Sequence, residues 1–382
     1  MGSAMRSLLR RRLLVPAVVG MTVSAAASGP SGGQHERYTL SGDHVAIYNL
    51  AGELRIEPNS GREVVVEVAR AGRDAGSLRV ETGPKEGRTT LRVIYPSRRV
   101  IYPPLGRGSR SSAEIADDGT FDDHAFGILS GRRTVTVAGS GSGTEAHADL
   151  RVLVPSGQKL TVRLVAGKTQ ISGIDAKLSV SQGAGPVESR GTRGALSVNT
   201  GSGTVRVAEA QGDVELDTGS GSVTVSGVRG ARLSMDTGSG DVRVSDAEVG
   251  ILLADTGSGS VDLDAVRADE IRLDTGSGTI RLDLQSDVSL LDADTGSGDV
   301  TVTVPAKLGA EFDVETGSGG IEMEVAHEVF EASRSHVRGR IGDGRGRIRV
   351  ETGSGGVRIQ RRATAGARSH LGVGTLLAPA VE

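Results

Sequence analysis

The feature that most constrains this chain is a five-residue pattern, Asp-Thr-Gly-Ser-Gly, recurring through its second half at an almost fixed period. Asn199-Thr200-Gly201-Ser202-Gly203 opens the series. Asp217, Asp236, Asp255, Asp274 and Asp294 each begin a further copy, and Glu315 and Glu351 begin two more. The spacings run 18, 19, 19, 19, 20 and 21 residues, then 36. A period of this size marks a repeat architecture in which each unit is one supersecondary element. The flanks repeat as well. Residues one and three before the acid are apolar, as in Val214 and Leu216, Leu233 and Met235, and Phe312 and Val314. Residues two and four after the last glycine are apolar too, as in Val223 and Val225, Val242 and Val244, and Ile280 and Leu282. Such alternation on both sides of a glycine turn predicts two half-buried strands per repeat, their inner faces turned to one core.

Energetics then selects the arrangement. One repeat offers about four inner aliphatic side chains, worth at most ~1.5–3 kcal/mol each when fully buried. Ordering its backbone costs roughly 1–2 kcal/mol per residue. A lone repeat cannot fold, so neighbours must supply pairing and burial. An antiparallel meander of Thr-Gly-Ser-Gly hairpins would exceed the ~10 strands at which open sheets curl or split, with one apolar face bare. A coil avoids both problems, because its two strands lie in opposite sheets and the inner residues meet between them. The predicted fold is therefore all-β, a single elongated β-solenoid of about 19 residues and two short strands per coil. Length variation falls in a second turn, at Val228 to Ala231, Ala247 to Gly250 and Val266 to Asp269. Aromatics make up only 2% of the chain, which fits a thin core of Val, Leu, Ile and Ala.

The repeat domain is expected over residues 38–361, with regular coils at 199–361 and irregular ones at 38–198. Leu50-Ala51-Gly52 before Leu54 and Ile56 reads as a weathered turn, as does Gln182-Gly183-Ala184-Gly185 before Val187. Residues 96–131, rich in Pro, Gly, Ser and charge, read as a long surface-loop insertion, and 326–340 as a shorter one. The tail 362–382 is expected to be disordered.

Two stretches carry a resemblance. Ala148 to Ser172 contains a Val-Pro-Ser-Gly step followed by Gly-Lys-Thr-Gln-Ile-Ser-Gly. Gly344 to Gln360 closes the array with Gly-Arg-Gly-Arg-Ile-Arg-Val-Glu-Thr-Gly-Ser-Gly-Gly-Val-Arg-Ile-Gln. Over about residues 38 to 361 the chain resembles the bacterial "putative adhesin" family of unknown-function β-strand repeats, itself similar to auto-transporter adhesin head domains. The resemblance implies a β-helical envelope or secreted protein; the insertion at 96–131 lies outside the family pattern.

The first residues point to export. Arg6, Arg10, Arg11 and Arg12 form a basic start, Leu13 to Val23 an apolar stretch, and Ala25-Ala26-Ala27 a small-residue site for cleavage before Ser28. Residues 1–27 thus read as a signal peptide, since the apolar stretch, broken by Pro16 and Gly20, is short for a span of about 20 residues. No transmembrane span is expected in the mature chain, and the expected location is periplasmic, cell-surface or secreted. The chain has no Cys, which excludes disulfides, thiolate metal sites and Cys nucleophiles. A net charge of −3 without a basic face argues against a nucleic-acid partner.

Asp-Thr-Gly-Ser is also the active-site sequence of aspartic proteases, but those enzymes need two carboxylates converging across a cleft. Copies spaced 18–20 residues apart stack along one edge instead. The structural reading makes Asp217, Asp236, Asp255, Asp274 and Asp294 a turn ladder. In it glycine supplies positive φ and each Asp caps its own turn amides. Asn199 can cap in the same way without charge. Calcium β-rolls place Asp inside the glycine turn, whereas here Asp precedes it. Gly167-Lys168-Thr169 lacks the glycine spacing of a phosphate loop. Half of the eight aromatics, Tyr95, Tyr102, Phe121 and Phe126, fall in residues 95–126 and mark a candidate contact loop. No catalytic residue, cofactor or metal site is identified. The expected function is a non-enzymatic exported envelope protein whose adhesin-like surface binds an envelope component. The alternatives are a calcium-binding β-roll and a β-helical polysaccharide lyase or hydrolase.

Overall fold

Successive Asp-Thr-Gly-Ser-Gly repeats lie side by side in parallel and in register. A computed structural model describes residues 35–121 and 132–362, so the leader expected at 1–27, Phe126 and residues 363–382 of the tail lie outside the described residues. Among the described residues the protein is all-β, with only two short 3-10 turns, Ala75–Ser77 and Pro103–Leu105. Asp217 is in register with Asp236, and that with Asp255, Asp274 and Asp294 in turn. After the turn, Val205, Val223, Val242, Val261, Ile280 and Val300 form a second continuous row. The alternation seen in the sequence is the burial pattern: Val223, Val225, Leu233 and Met235 are at most 1% exposed.

The expectation of two short strands per coil needs correction. Three coils are single 15-residue strands, Val223–Thr237, Val242–Thr256 and Val261–Thr275. The stretch read as a second turn is itself paired, Val228 with Ala247 and Ala247 with Val266, and these three side chains are buried. Each coil therefore contributes a third paired segment. It is entered through a left-handed corner, at Gly227 (φ 63°), Asp246 (φ 52°) and Ala265 (φ 54°). The segment holds at most two inward residues, as in Ala247 and Val249 or Val266 and Ala268, a run too short to stand out as a strand in the sequence.

Spatial order departs from chain order at both ends. His44–Asn59 pairs with Gln158–Ser172 on one side. On its other side lie Arg88–Ile94 and His147–Pro155. Beyond these, Arg79–Lys85, Val64–Ala71 and His35–Leu40 add antiparallel strands. Only part of residues 38–198 is thus coil. At the other end Gly346–Thr352 and Val357–Arg361 slot between Leu290–Val304 and Ala310–Glu324. This explains the spacing of 36: Glu351 neighbours Asp294, and Glu315 lies outside it. The hairpin Glu328–Ala332 and His336–Ile341 then runs antiparallel against Ala310–Thr316. Antiparallel strands close one end and, at the other, the row that ends in Ala310–Thr316, which blunts much of a parallel edge that would otherwise template further pairing.

The described part of the insertion expected as a surface loop, residues 96–121, is folded. Arg99–Ile101, Arg132–Ala138 and Arg110–Ala116 make a separate three-stranded sheet, with Val100, Ile115, Val135 and Val137 buried. Its alternating Val and Ile were masked by the surrounding Ser, Arg and Gly.

Candidate functional site

The stacked turns are held by threonine rather than by aspartate. Thr218, Thr237, Thr256, Thr275, Thr295, Thr316 and Thr352 point inward and are at most 4% exposed. Each Thr Oγ1 accepts the N–H of the last glycine in its own turn at 3.0–3.1 Å. It donates to a glycine carbonyl of the adjacent coil at 2.8–3.3 Å. Two bonds per hydroxyl close the turn and lock it to its neighbour. Strand alternation explains the correction: Thr lies on the inner face beside the turn amides, so the preceding Asp faces solvent. In the coil before the array, Gln182 occupies the same inner row and donates Nε2 to the Gly185 carbonyl at 2.7 Å.

The glycines also serve a purpose other than the one expected. Those of the repeated motif lack a left-handed φ. A Cβ on Gly240 would lie 2.0 Å from the Gly221 carbonyl oxygen, and one on Gly259 would lie 1.9 Å from that of Gly240. They permit close approach between coils, a separate use of the missing side chain.

Asp217, Asp236, Asp255, Asp274 and Asp294 form an exposed row that Glu351 and Glu315 continue. Asn199 Nδ2 donates to Asp217 Oδ2 at 2.8 Å, so the uncharged first member holds the second. Partial desolvation first, and neighbouring carboxylates second, raise Asp217, Asp255 and Asp294 above the ordinary carboxylate range. Beside the repeated turns, the aspartates that hold amides are those after the last glycine. Asp241 Oδ1 accepts Ser260 N–H at 3.0 Å, and Asp299 Oδ1 accepts Gly356 N–H at 2.8 Å. The Ser260 amide is the main reason that Asp241 is lowered. Among the described residues no group of three His, Cys, Asp or Glu is placed to hold a metal ion.

The three candidate contact residues among the described residues lie inside. Tyr95, Tyr102 and Phe121 are 1%, 3% and 2% exposed. Tyr95 donates its hydroxyl to Asn49 Oδ1 at 2.8 Å, and burial raises its pKa. Burial also pushes Tyr102 up to about 12, and its ring meets His147 edge-on at 5.1 Å. Phe121 meets Tyr48 edge-on at 5.8 Å. In a chain so poor in aromatics their largest use is in burial, a signal that was available in the composition. Lys168 pairs with Glu188 at 3.1 Å, and Thr169 donates to Gln182 Oε1 at 2.6 Å, so the Gly-Lys-Thr stretch is structural.

What sequence reasoning missed are shallow grooves across the outer faces of the stack. One of 330 Å³ runs over Lys159, Lys177 and Ser197 to Glu215. Another, of 480 Å³, lies over Arg55, Glu188 and Arg206, and a third, of 460 Å³, over Arg243, Asp262 and Arg281. Each spans several coils, so its lining is far apart in sequence but follows once the register is known.

The family model described as Toastrack DUF4097 matches residues 125–360. The chain is also similar to a solved structure of a "putative cell adhesion protein" from Clostridium sporogenes, with 10% identity over 87% of this chain and 100% of the other. The TM-score of that pair is 0.20, too low to bear on fold or function. No protein of curated function matches the chain.

Proposed function

The chain belongs to the Toastrack DUF4097 family, and on that premise we propose that it is a non-enzymatic β-solenoid scaffold, exported to the cell envelope, with an adhesin-like surface that binds an envelope component. The observation that carries this reading is the in-register stacking of parallel coils. Every outward position recurs at the strand spacing of about 4.8 Å, so side chains are presented in rows along the stack. Catalysis needs unlike groups converging on one reacting atom, whereas rows suit repeated weak contacts with an extended partner. Export is supported by the basic, apolar and small-residue order of the first 27 residues. Among the described residues no helix is long and apolar enough to cross a membrane.

The test has two arms. Fractionation of cells expressing the full chain, with sequencing of the mature N-terminus, should place the protein in the envelope or medium, cut before Ser28. Purified protein should then capture a defined component from envelope extracts and leave envelope glycans intact. Glycan turnover abolished by a single acidic substitution would refute the non-enzymatic reading, and retention of the uncut protein in the cytoplasm would refute export.

A further inference from the structure

The outer face of the first strand row changes charge abruptly along the stack. Lys159 and Lys177, two of the chain's five lysines, lie in register on adjacent strands, and both are exposed. Neither is in an ion pair among the described residues, whereas Lys168 and Lys85 each pair with a carboxylate. Beside them Thr161, Ser179 and Ser197 form a hydroxyl row, each in register with the next. Thr161 Oγ1 is further held by His44 Nε2 at 2.9 Å. One strand on, Ala195, Ser197 and Asn199 carry no charge; the strand after that presents Asp213, Glu215 and Asp217. The 330 Å³ groove runs across this step, from the lysines over the hydroxyls to Asp213 and Glu215, and ends at Arg232 on the next strand.

Two unpaired ammonium groups at the ~4.8 Å strand spacing repel each other, and an anion lying between them removes that repulsion. Thr161 is buried against His44, and the half-buried Ser179 and Ser197 beside it supply donors and acceptors for a partner rich in hydroxyls. The volume is at the lower end of the ~300–1,000 Å³ of small-molecule sites. Asp213 and Glu215, about two strand spacings from Lys177, separate the lysine pair from Arg232, so the lysine end suits a single anionic group.

We propose that this groove is a binding site for a sugar carrying one anionic group, a phosphate or a carboxylate, with the anion between Lys159 and Lys177 and the sugar hydroxyls over Ser179 and Ser197. This deepens the binding role proposed above and rests on it for its biological use. The two fail separately: envelope capture that is lost while the sugar still binds refutes only the scaffold reading.

The experiment titrates the full chain with glucose 6-phosphate, glucuronate and, as the neutral control, glucose, read by chemical-shift perturbation and by the shift in melting temperature. Saturable binding of either charged sugar, at least tenfold tighter than glucose and weakened by salt, is expected. The tighter of the two identifies the anion. Lys177→Gln should weaken binding at least tenfold without lowering the melting temperature of the free protein, and Glu215→Gln should tighten it severalfold. Lys307→Gln, on a distant exposed turn, should change nothing. The proposal is overturned if neither charged sugar saturates, if glucose binds as well as they do, or if Lys307→Gln has the same effect as Lys177→Gln.

Discussion

Replacing Thr256 by Val deletes one hydroxyl at nearly constant shape, in a side chain that is fully buried. That hydroxyl accepts the Gly259 amide at 3.0 Å and donates to the Gly240 carbonyl at 2.9 Å. Valine leaves a donor and an acceptor without partners in a dry interior. A buried polar group left unmade costs about 1–3 kcal/mol, so two of them set an expected loss of about 2–4 kcal/mol, after some relaxation of the turn. Thr256→Ser keeps both bonds and loses one methyl, about 0.8 kcal/mol by transfer and somewhat more if a cavity remains. The order predicted is therefore wild type, then Ser, then Val.

A stack of coils need not unfold in one step, so urea melts alone are insufficient. Hydrogen exchange provides the local readout: the Gly259 amide should lose protection in Thr256→Val by the same free energy, and the turns beside it by less. Asp255→Ala serves as the comparison, since Asp255 is exposed and holds no turn amide. If Asp255→Ala destabilises more than Thr256→Val, or if Gly259 stays protected in the valine variant, the assignment of the cap to threonine is wrong.

Raised carboxylates in the ladder stabilise the fold below their unfolded pKa and lose that contribution as pH rises through the folded value. Asp255→Asn should therefore raise the melting temperature at pH 7, and the gain should shrink as pH falls toward 4. Asp241 is shifted the other way, so its contribution is present above the unfolded pKa and lost as pH falls through the folded value; Asp241→Asn should lower the melting temperature at pH 7 and still at pH 4, and matter less only under more acid conditions. Gly240→Ala should cost more than the ~1–3 kcal/mol of ordinary overpacking, because its Cβ would meet the Gly221 carbonyl at 2.0 Å, whereas Gly320→Ala enters open space and should be tolerated in denaturant melts. Calcium or a chelator should leave the melting temperature unchanged; a calcium-dependent rise removed by Asp255→Asn would favour a metal-bound β-roll.

The repeat made the inner rows legible. Val223, Val225, Leu233 and Met235 could be placed by alternation alone, and they are buried. Three things escaped for separate physical reasons. The segment around Val228 and Ala247 is too short, with at most two inward residues, to stand out as a strand. The exchange of order that sets Glu351 between Asp294 and Glu315 is a long-range pairing, and local pattern carries no record of it. The threonine cap was overlooked because Asp is the more familiar turn residue, although alternation already placed Thr218 and Thr237 on the inner face.

The outer surface was harder to read because its neighbours are set by register rather than by sequence. Lys159 and Lys177 are 18 positions apart, a separation that means nothing until one coil is known to lie on the next without a slip. A one-residue shift would turn both lysines inward and both Leu160 and Leu178 outward, so the buried leucines fix the position of the charges. The same logic applies to each row: the apolar face pins the register, and the register then assembles charged groups that no local motif announces. In a stack of this kind, binding sites are written across coils at one position of the repeat. Comparing the same outward position from coil to coil is how Lys159, Lys177, Ala195 and Asp213 come to be read as a single charge step.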